Sequence, residues 1–344
     1  MKKFQPQLNV ANFICKFDEA VLLDLAQEIV LPAFLDAKLQ RPISGSTKYF
    51  IMNAQLWNVP NSPGAPLELA IVGRFVKEGE ISRDQVLRAG EIVRDRKVLE
   101  SAPSSIFVLF LSNHKLLYVR EVAGAPSLEN FGATIKNFIK YKRKEFVDKE
   151  YLRLKDAEDR TQRKTKKELF ELYPSPSVEV VPLSNEQTMT EFIDHYSILK
   201  SVEVRLLDTN HEIDNSKLFA GLRKSKEQLG SDVLLIRNES KGQLGLNKEQ
   251  AAKLVAVPAE EGNSRIKLLG LDAEGRKLEG NDENFKLSIP IDLKQGAEST
   301  DPSPTISKMI VAYLDALDKK VLTVQKGNDV ALSKLSALRR SLGI

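Results

Sequence analysis

The sequence predicts an α+β protein: two compact units in tandem with mainly antiparallel sheets, joined by a long charged helix and followed by C-terminal helices. Three observations carry that prediction. Strand-sized apolar runs come in pairs separated by short turns, with helical stretches between the pairs, which favours antiparallel strands over a doubly wound parallel sheet. Pro174-Ser175-Pro176-Ser177 then breaks the pattern with a segment of turn chemistry. Positive charge gathers just before that break. Thirteen Lys/Arg against seven Asp/Glu lie between Lys136 and Glu168, in a chain whose formal net charge is only +4.

In the first unit (1–134), residues 18–40 carry apolar side chains at helical spacing, with Asp18 as N-cap and a kink at Pro32. Tyr49–Val59 and Leu67–Val76 read as a hairpin joined by P-N-S-P-G-A-P. Ser82–Arg94 reads as a helix. Ser105–Val122 is a second hairpin (I-F-V-L-F-L, the turn S-N-H-K, then L-L-Y-V-R-E-V), and a helix starts at Leu128.

The segment 135–173 begins as an amphipathic helix. Ile135, Phe138, Ile139, Phe146, Val147, Tyr151 and Leu154 recur at three, four and seven, a stripe that must bury against a core or a partner. Lys136, Lys140, Lys142, Arg143, Lys144 and Lys149 lie opposite, and Glu145/Lys149, Asp156/Arg160 and Asp159/Arg163 have ion-pair spacing. Residues 158–168 hold no large apolar side chain and read equally as a mobile loop.

The unit 174–295 has strands at Val178–Leu183, Val202–Leu207 and Val233–Arg237, with helices at Glu186–Leu199, Asn215–Leu229 and Lys248–Leu254. A closing strand pair is expected between Arg265–Leu271 and Phe285–Ile291. In 296–344 a loop precedes helices at Thr305–Lys320 and Asp329–Leu342. The last of these shows Leu332, Leu335, Leu338 and Leu342 on one side, a stripe suited to a protein partner or to self-association.

Composition excludes several classes. A 42% apolar and 28% charged chain is ordinary for a globular protein, and a pI near 8.8 permits nucleic-acid contact without demanding it. The single cysteine, Cys15, rules out an intrachain disulfide. With no apolar run of signal-peptide or membrane-spanning length, a reduced cytoplasmic setting and no membrane contact are expected. No G-x-G-x-x-G occurs, and Gly242 and Gly245 lack the G-K-[S/T] ending of a phosphate loop.

The three histidines fall in different settings. His114 reads as a solvated turn residue, while His195 and His211 have acidic neighbours but no second histidine at helical spacing. Glu239-Ser240-Lys241 follows a strand. A nuclease metal site there would need a second carboxylate; Asp232, at the far end of that strand, is too far for one ion, and Asp208, ending the preceding strand, is the better partner. The expectation is no catalytic residue, no metal and no cofactor.

Residues L-E-L-A-I-V-G-R-F-V-K (67–77), S-S-I-F-V-L-F-L-S-N-H-K-L-L-Y-V-R-E (104–121), N-F-G-A-T-I-K-N-F-I (130–139), V-E-V-V-P-L-S (178–184) and I-L-K-S-V-E-V-R-L-L-D-T-N (198–210) form a familiar arrangement. Over about the first 240 residues it resembles a group of uncharacterised bacterial proteins encoded among phage-defence genes. That resemblance contains no catalytic motif and assigns no site residue. It implies a bacterial cytosolic protein that acts beside an effector in antiviral defence and binds phage-linked nucleic acid or protein.

Three functions remain open on the sequence. One is non-enzymatic binding of DNA or RNA, with Lys140, Lys142, Arg143, Lys144, Arg163, Lys164, Lys166 and Lys167 on phosphates and Tyr141 or Phe146 as a stacking face. The second is a protein-interaction scaffold, and the third a metal-dependent nuclease. The charged stretch reads as well as a solvated bridge between two units.

Overall fold

Residues 7–17, Q-L-N-V-A-N-F-I-C-K-F, are buried along almost their whole length and form the strand on which the fold is organised. The computed structural model describes residues 4–60, 62, 64, 67–155, 162–207, 217–231, 233–293 and 301–344. In chain order the first strands are β1 (Gln7–Phe17), β2 (Ala20–Val21), β3 (Gln40–Ser44), β4 (Thr47–Pro60), β5 (Leu67–Arg88), β6 (Glu91–Ser101), β7 (Ser104–Phe110) and β8 (Lys115–Arg120). They are followed by β9 (Ser177–Pro182), β10 (Ile198–Leu206), β11 (Leu234–Glu239), β12 (Ser264–Leu271), β13 (Lys277–Asn281) and β14 (Ser288–Pro290). The helices are α1 (Leu31–Leu35), α2 (Leu128–Lys155), α3 (Lys166–Leu172), α4 (Glu186–Asp194), α5 (Lys217–Gln228), α6 (Lys248–Glu261), α7 (Ser303–Asp318) and α8 (Asp329–Leu342).

The fold is α+β. Ten strands make one antiparallel sheet in the order β14-β1-β8-β7-β5-β4-β3, with β2 and β9 also on β1 and β6 on β5. A second, four-stranded sheet runs β11-β10-β12-β13. Helices cover both faces of the large sheet. On one, Phe13, Phe75, Phe107 and Tyr118 pack against α1, α2 and α8; on the other, Val10, Val108 and Phe110 meet Ile306, Met309 and Tyr313 of α7. Burial on both faces explains why β7 and β8 read as continuous apolar runs instead of alternating ones. The small sheet has its own core, in which Val202, Val204, Ile266 and Leu268 pack against Met189, Ile193 and Val255.

The chain does not divide its strands at Pro174. The strand expected to open the second unit, β9, pairs with β1 (Phe13↔Val180), and β14 joins β1 at Leu8↔Ile289. The closing strand pair is therefore different from the expected one: β12 pairs with β13 (Leu269↔Glu279). The polar 272–284 stretch between the two expected strands supplies β13, with Leu278 packed against the core of the small sheet.

Two helices were misread. Ser82–Arg94 is not a helix: β5 runs on to Arg88, turns at Ala89-Gly90, and returns as β6. Both turn residues have positive φ (50° and 86°), the geometry of a two-residue hairpin turn that glycine admits without strain. Residues 18–40 hold helical turns only from Leu22 to Leu35, partly 3₁₀ and π, and Asp18 sits at φ 61° in the turn between β1 and β2. The expected hairpins β4–β5 and β7–β8, the start of α2 and the helices α7 and α8 are present. Leu335 and Leu338 of α8 are buried in the first core, Leu342 packs against it, and Leu332 is exposed. The stripe expected to meet a partner thus serves the chain's own core.

Candidate nucleic-acid interface

The helix α2 starts where Ser127 and Asn130 exchange backbone-to-side-chain hydrogen bonds (3.2 Å each), a reciprocal N-terminal cap. Leu128, Phe131, Ile135, Phe138 and Ile139 face the large sheet and α1, which fixes the rotation of the whole helix. Beyond Phe138 the stripe continues through Val147 and Leu154 onto Leu169 of α3. The tail expected to need no packing is in part this helix, opened by a capping box between Thr165 and Glu168. Asp156, Asp159 and Arg160 lie outside the described residues.

With the helix oriented, its cations separate into two groups. Lys142 and Arg143 turn inward. Lys142 bridges Asp36 and Glu145 at 2.7 Å each and holds the Asp36 carboxyl below the usual carboxylate range. Arg143 donates to the carbonyls of Phe170 (3.0 Å) and Tyr173 and stacks on the Phe170 ring, so it ties α3 to α2. Lys166 pairs with Asp148 at 2.7 Å, and Lys167 lies 3.9 Å from Glu171. Lys140, Lys144, Arg163 and Lys164 are exposed. Glu145 is held by Lys142 instead of Lys149.

Lys136, Lys140 and Lys144 share one stripe, and among the described residues no carboxylate stands within ion-pair distance of any of the three. At four-residue spacing their Cα atoms rise by about 6 Å each, an interval comparable to the step between phosphates of an extended strand. Tyr141, 52% exposed, flanks the stripe, whereas Phe146 is packed edge-on against Tyr173. The Lys166–Asp148 contact brings the 163–167 segment alongside the helix one turn past Lys144 and neutralises the carboxylate there. Lys136 was not singled out as a site residue. Its four-residue register with Lys140 and Lys144 was the available signal.

At its N-terminal end the stripe meets a cleft of about 810 Å³ between α2, β9 and the small sheet. Its walls carry more carboxylates than cations, and two pairs form across them: Arg265 with Glu179 at 2.7 Å, and Lys267 with Glu279 at 2.7 Å. That balance makes the cleft a poor phosphate site. Asp282, below Arg265, is pushed up to about 6 by burial, against the pull of the Ile266 N–H and the Arg265 guanidinium. A raised folded-state pKa means that the folded chain holds this proton more tightly. The Asp282 contribution to stability is therefore greatest below pH 4 and lost as pH rises through 6. Asp282→Asn should flatten the wild-type decline in urea midpoint across that window.

Among the described residues no group of three His, Cys, Asp or Glu side chains is placed to hold a metal ion. Cys15 is buried and its thiol pushed far up by desolvation. Glu239 pairs with Arg237, and the Gly242 carbonyl accepts from Lys200. Asp208, His211 and Asp232 lie outside the described residues. His114 corrects the expectation of a solvated turn: Ser112 to Lys115 are all buried, with the 322–328 segment against Ser112 and Asn113, the Phe13 N–H on the His114 carbonyl and Glu261 beside Lys115. Gly327 there leaves no room for a Cβ against the Ser112 carbonyl.

Fold and surface together define an α+β protein whose antiparallel sheet is buried on both faces and whose flanking helix presents cations to solvent. No protein-family model matches the chain, and no curated protein matches it either. No helix among the described residues is long and apolar enough to cross a membrane.

Proposed function

We propose that the protein is a non-enzymatic nucleic-acid-binding component that holds an unpaired strand along α2. Lys136, Lys140 and Lys144 take successive phosphates, Tyr141 offers a stacking face, and Lys164 and Arg163 extend the track past the Asp148–Lys166 pair. The supporting observation is the stripe itself: three lysines in four-residue register, exposed or half-exposed, with no carboxylate at ion-pair distance among the described residues and an exposed aromatic beside them. Lys142 and Arg143 belong to the packing of the helix, not to the contact. The resemblance to bacterial phage-defence proteins supports a place for this activity in a cytoplasmic antiviral assembly.

The test is fluorescence anisotropy with labelled single-stranded DNA, single-stranded RNA and duplex, each at two salt concentrations. Lys136→Gln/Lys140→Gln/Lys144→Gln should weaken single-strand binding and lower the slope of log K against log salt by about 2, the loss of three phosphate contacts. An unchanged affinity and slope in that variant would remove the assignment, as would equal binding by wild type with no salt dependence.

A further inference from the structure

Past Gly79, β5 leaves the body of the large sheet. Its partner β4 ends its ladder at Lys48↔Glu78, and from there β5 pairs with β6 alone, out to Arg88. The result is a two-stranded arm whose apolar side chains stay in water: Ile81 is 60% exposed, Leu87 72%, Ile92 71% and Leu99 63%. An isolated two-stranded ribbon is marginal in water, and a free strand edge is a template for another strand. On the side that β4 has left, residues 80–88 present such an edge, about 30 Å long.

The pattern along that edge is complementary to itself. We propose that two copies of this chain join through the arm, residues 80–88 of β5 pairing antiparallel with the same residues of the second copy about a two-fold axis at Asp84. In that register Ile81 stands opposite Leu87 of the second copy. Because Ile81 already faces Leu99 across its own hairpin, and Leu87 faces Ile92, each half of the joined sheet gains a row of four apolar side chains across four strands. Glu80 stands opposite Arg88 of the second copy. Within one copy Glu80 faces Glu100, a like-charge pair with no cation at ion-pair distance among the described residues, and Arg88, which shares Asp95 with Arg83 in its own arm, comes opposite Glu80 from the second copy.

The arm base carries Glu78, Glu80 and Glu100 against Arg83 and Lys97, while the outer half balances Arg88, Arg94 and Arg96 against Asp84, Glu91 and Asp95, so an antiparallel pair sets a neutral tip against a mildly acidic base. A 390 Å³ recess at the base, between Ser46 and those carboxylates, lies where the tip of the second copy would arrive. A two-fold contact must repeat the same patch on both copies, which this register does. One element opposes it. Asp84 meets its own copy, with Arg96 at 3.9 Å to offset part of the charge.

That opposition gives the test its sharpest arm. Light scattering and sedimentation of the full chain, from sub-micromolar to high micromolar concentration, should show a monomer–dimer equilibrium. Glu80→Arg should weaken it by roughly tenfold and Glu80→Arg/Arg88→Glu should restore it, while Ile81→Lys/Leu87→Lys should give monomer with an unchanged melt, since the arm lies outside the cores. Asp84→Asn should tighten the dimer, and Asp84→Cys should cross-link across the axis under mild oxidation while Lys97→Cys does not. Cys15, being buried, leaves that readout clean. A chain that is monomeric throughout, a charge swap that fails to rescue, or equal cross-linking at 84 and 97 would overturn the proposal.

Discussion

Phe131→Ala is expected to lower the free energy of unfolding by about 3–5 kcal/mol, the largest stability loss available from one side chain of α2. The ring is fully buried and lies 5.0 Å from Phe107, 5.4 Å from Phe75, 5.7 Å from Tyr118 and 6.3 Å from Phe34, centroid to centroid. It therefore joins three strands of the large sheet, through β5, β7 and β8, to α1. Truncation removes the transfer free energy of a phenyl group and leaves a cavity whose walls are other rings, which cannot collapse onto it easily. Since a domain is stable by only about 5–15 kcal/mol in total, the variant should show a urea midpoint well below wild type at unchanged slope. Tyr141→Ala, on the exposed side of the same helix, should shift it by less than about 0.5 kcal/mol. Near-equal midpoints for the two variants would mean that α2 is not anchored by this cluster. The lysine stripe would then have no fixed orientation.

The same packing decides what the sequence could reveal. The apolar stripe of α2 was legible because it repeats with the helical period, and the exposed lysines follow from it. The inward turn of Lys142 and Arg143 was not legible, since it depends on Asp36 and on the carbonyls of Phe170 and Tyr173, which come near only after α1 and α3 have docked. The arm was misread for a local reason. Val86, Leu87, Ile92 and Val93 satisfy both helical and strand spacing in a short window, and the positive-φ turn at Ala89-Gly90 decided between them. β1 and β9 escaped as a pair because the ladder Phe13↔Val180 joins residues far apart in sequence. His114 illustrates the opposite limit. Turn chemistry is readable, but whether a later segment covers the turn is not.

That covered turn supplies the second large effect. Lys115 is 2% exposed, and among the described residues its amine reaches only the Glu261 carbonyl, at 3.4 Å. The carboxylate of Glu261 is engaged by Asn263 (3.0 Å) and Gln325 (3.1 Å), so its charge reaches the amine without a direct contact. Burial pulls the Lys115 pKa from 10.5 down to about 8, with Glu261 opposing the shift. A depressed lysine pKa means that the unfolded chain binds the proton more tightly. Below pH 8 both states are protonated and the charged amine destabilises the fold in full; between pH 8 and 10.5 that penalty is relieved as the buried amine loses its proton. The size at neutral pH is about 3 kcal/mol for a shift of this extent. Lys115→Met, which keeps the chain length and removes the charge, should therefore be more stable than wild type at pH 7 by roughly 2 kcal/mol, after the weak carbonyl contact is lost. The advantage should shrink steadily through pH 8, 9 and 10. Comparing the two proteins at each pH cancels every other titrating group, so a difference that stays constant with pH would show that the Lys115 charge is not its source.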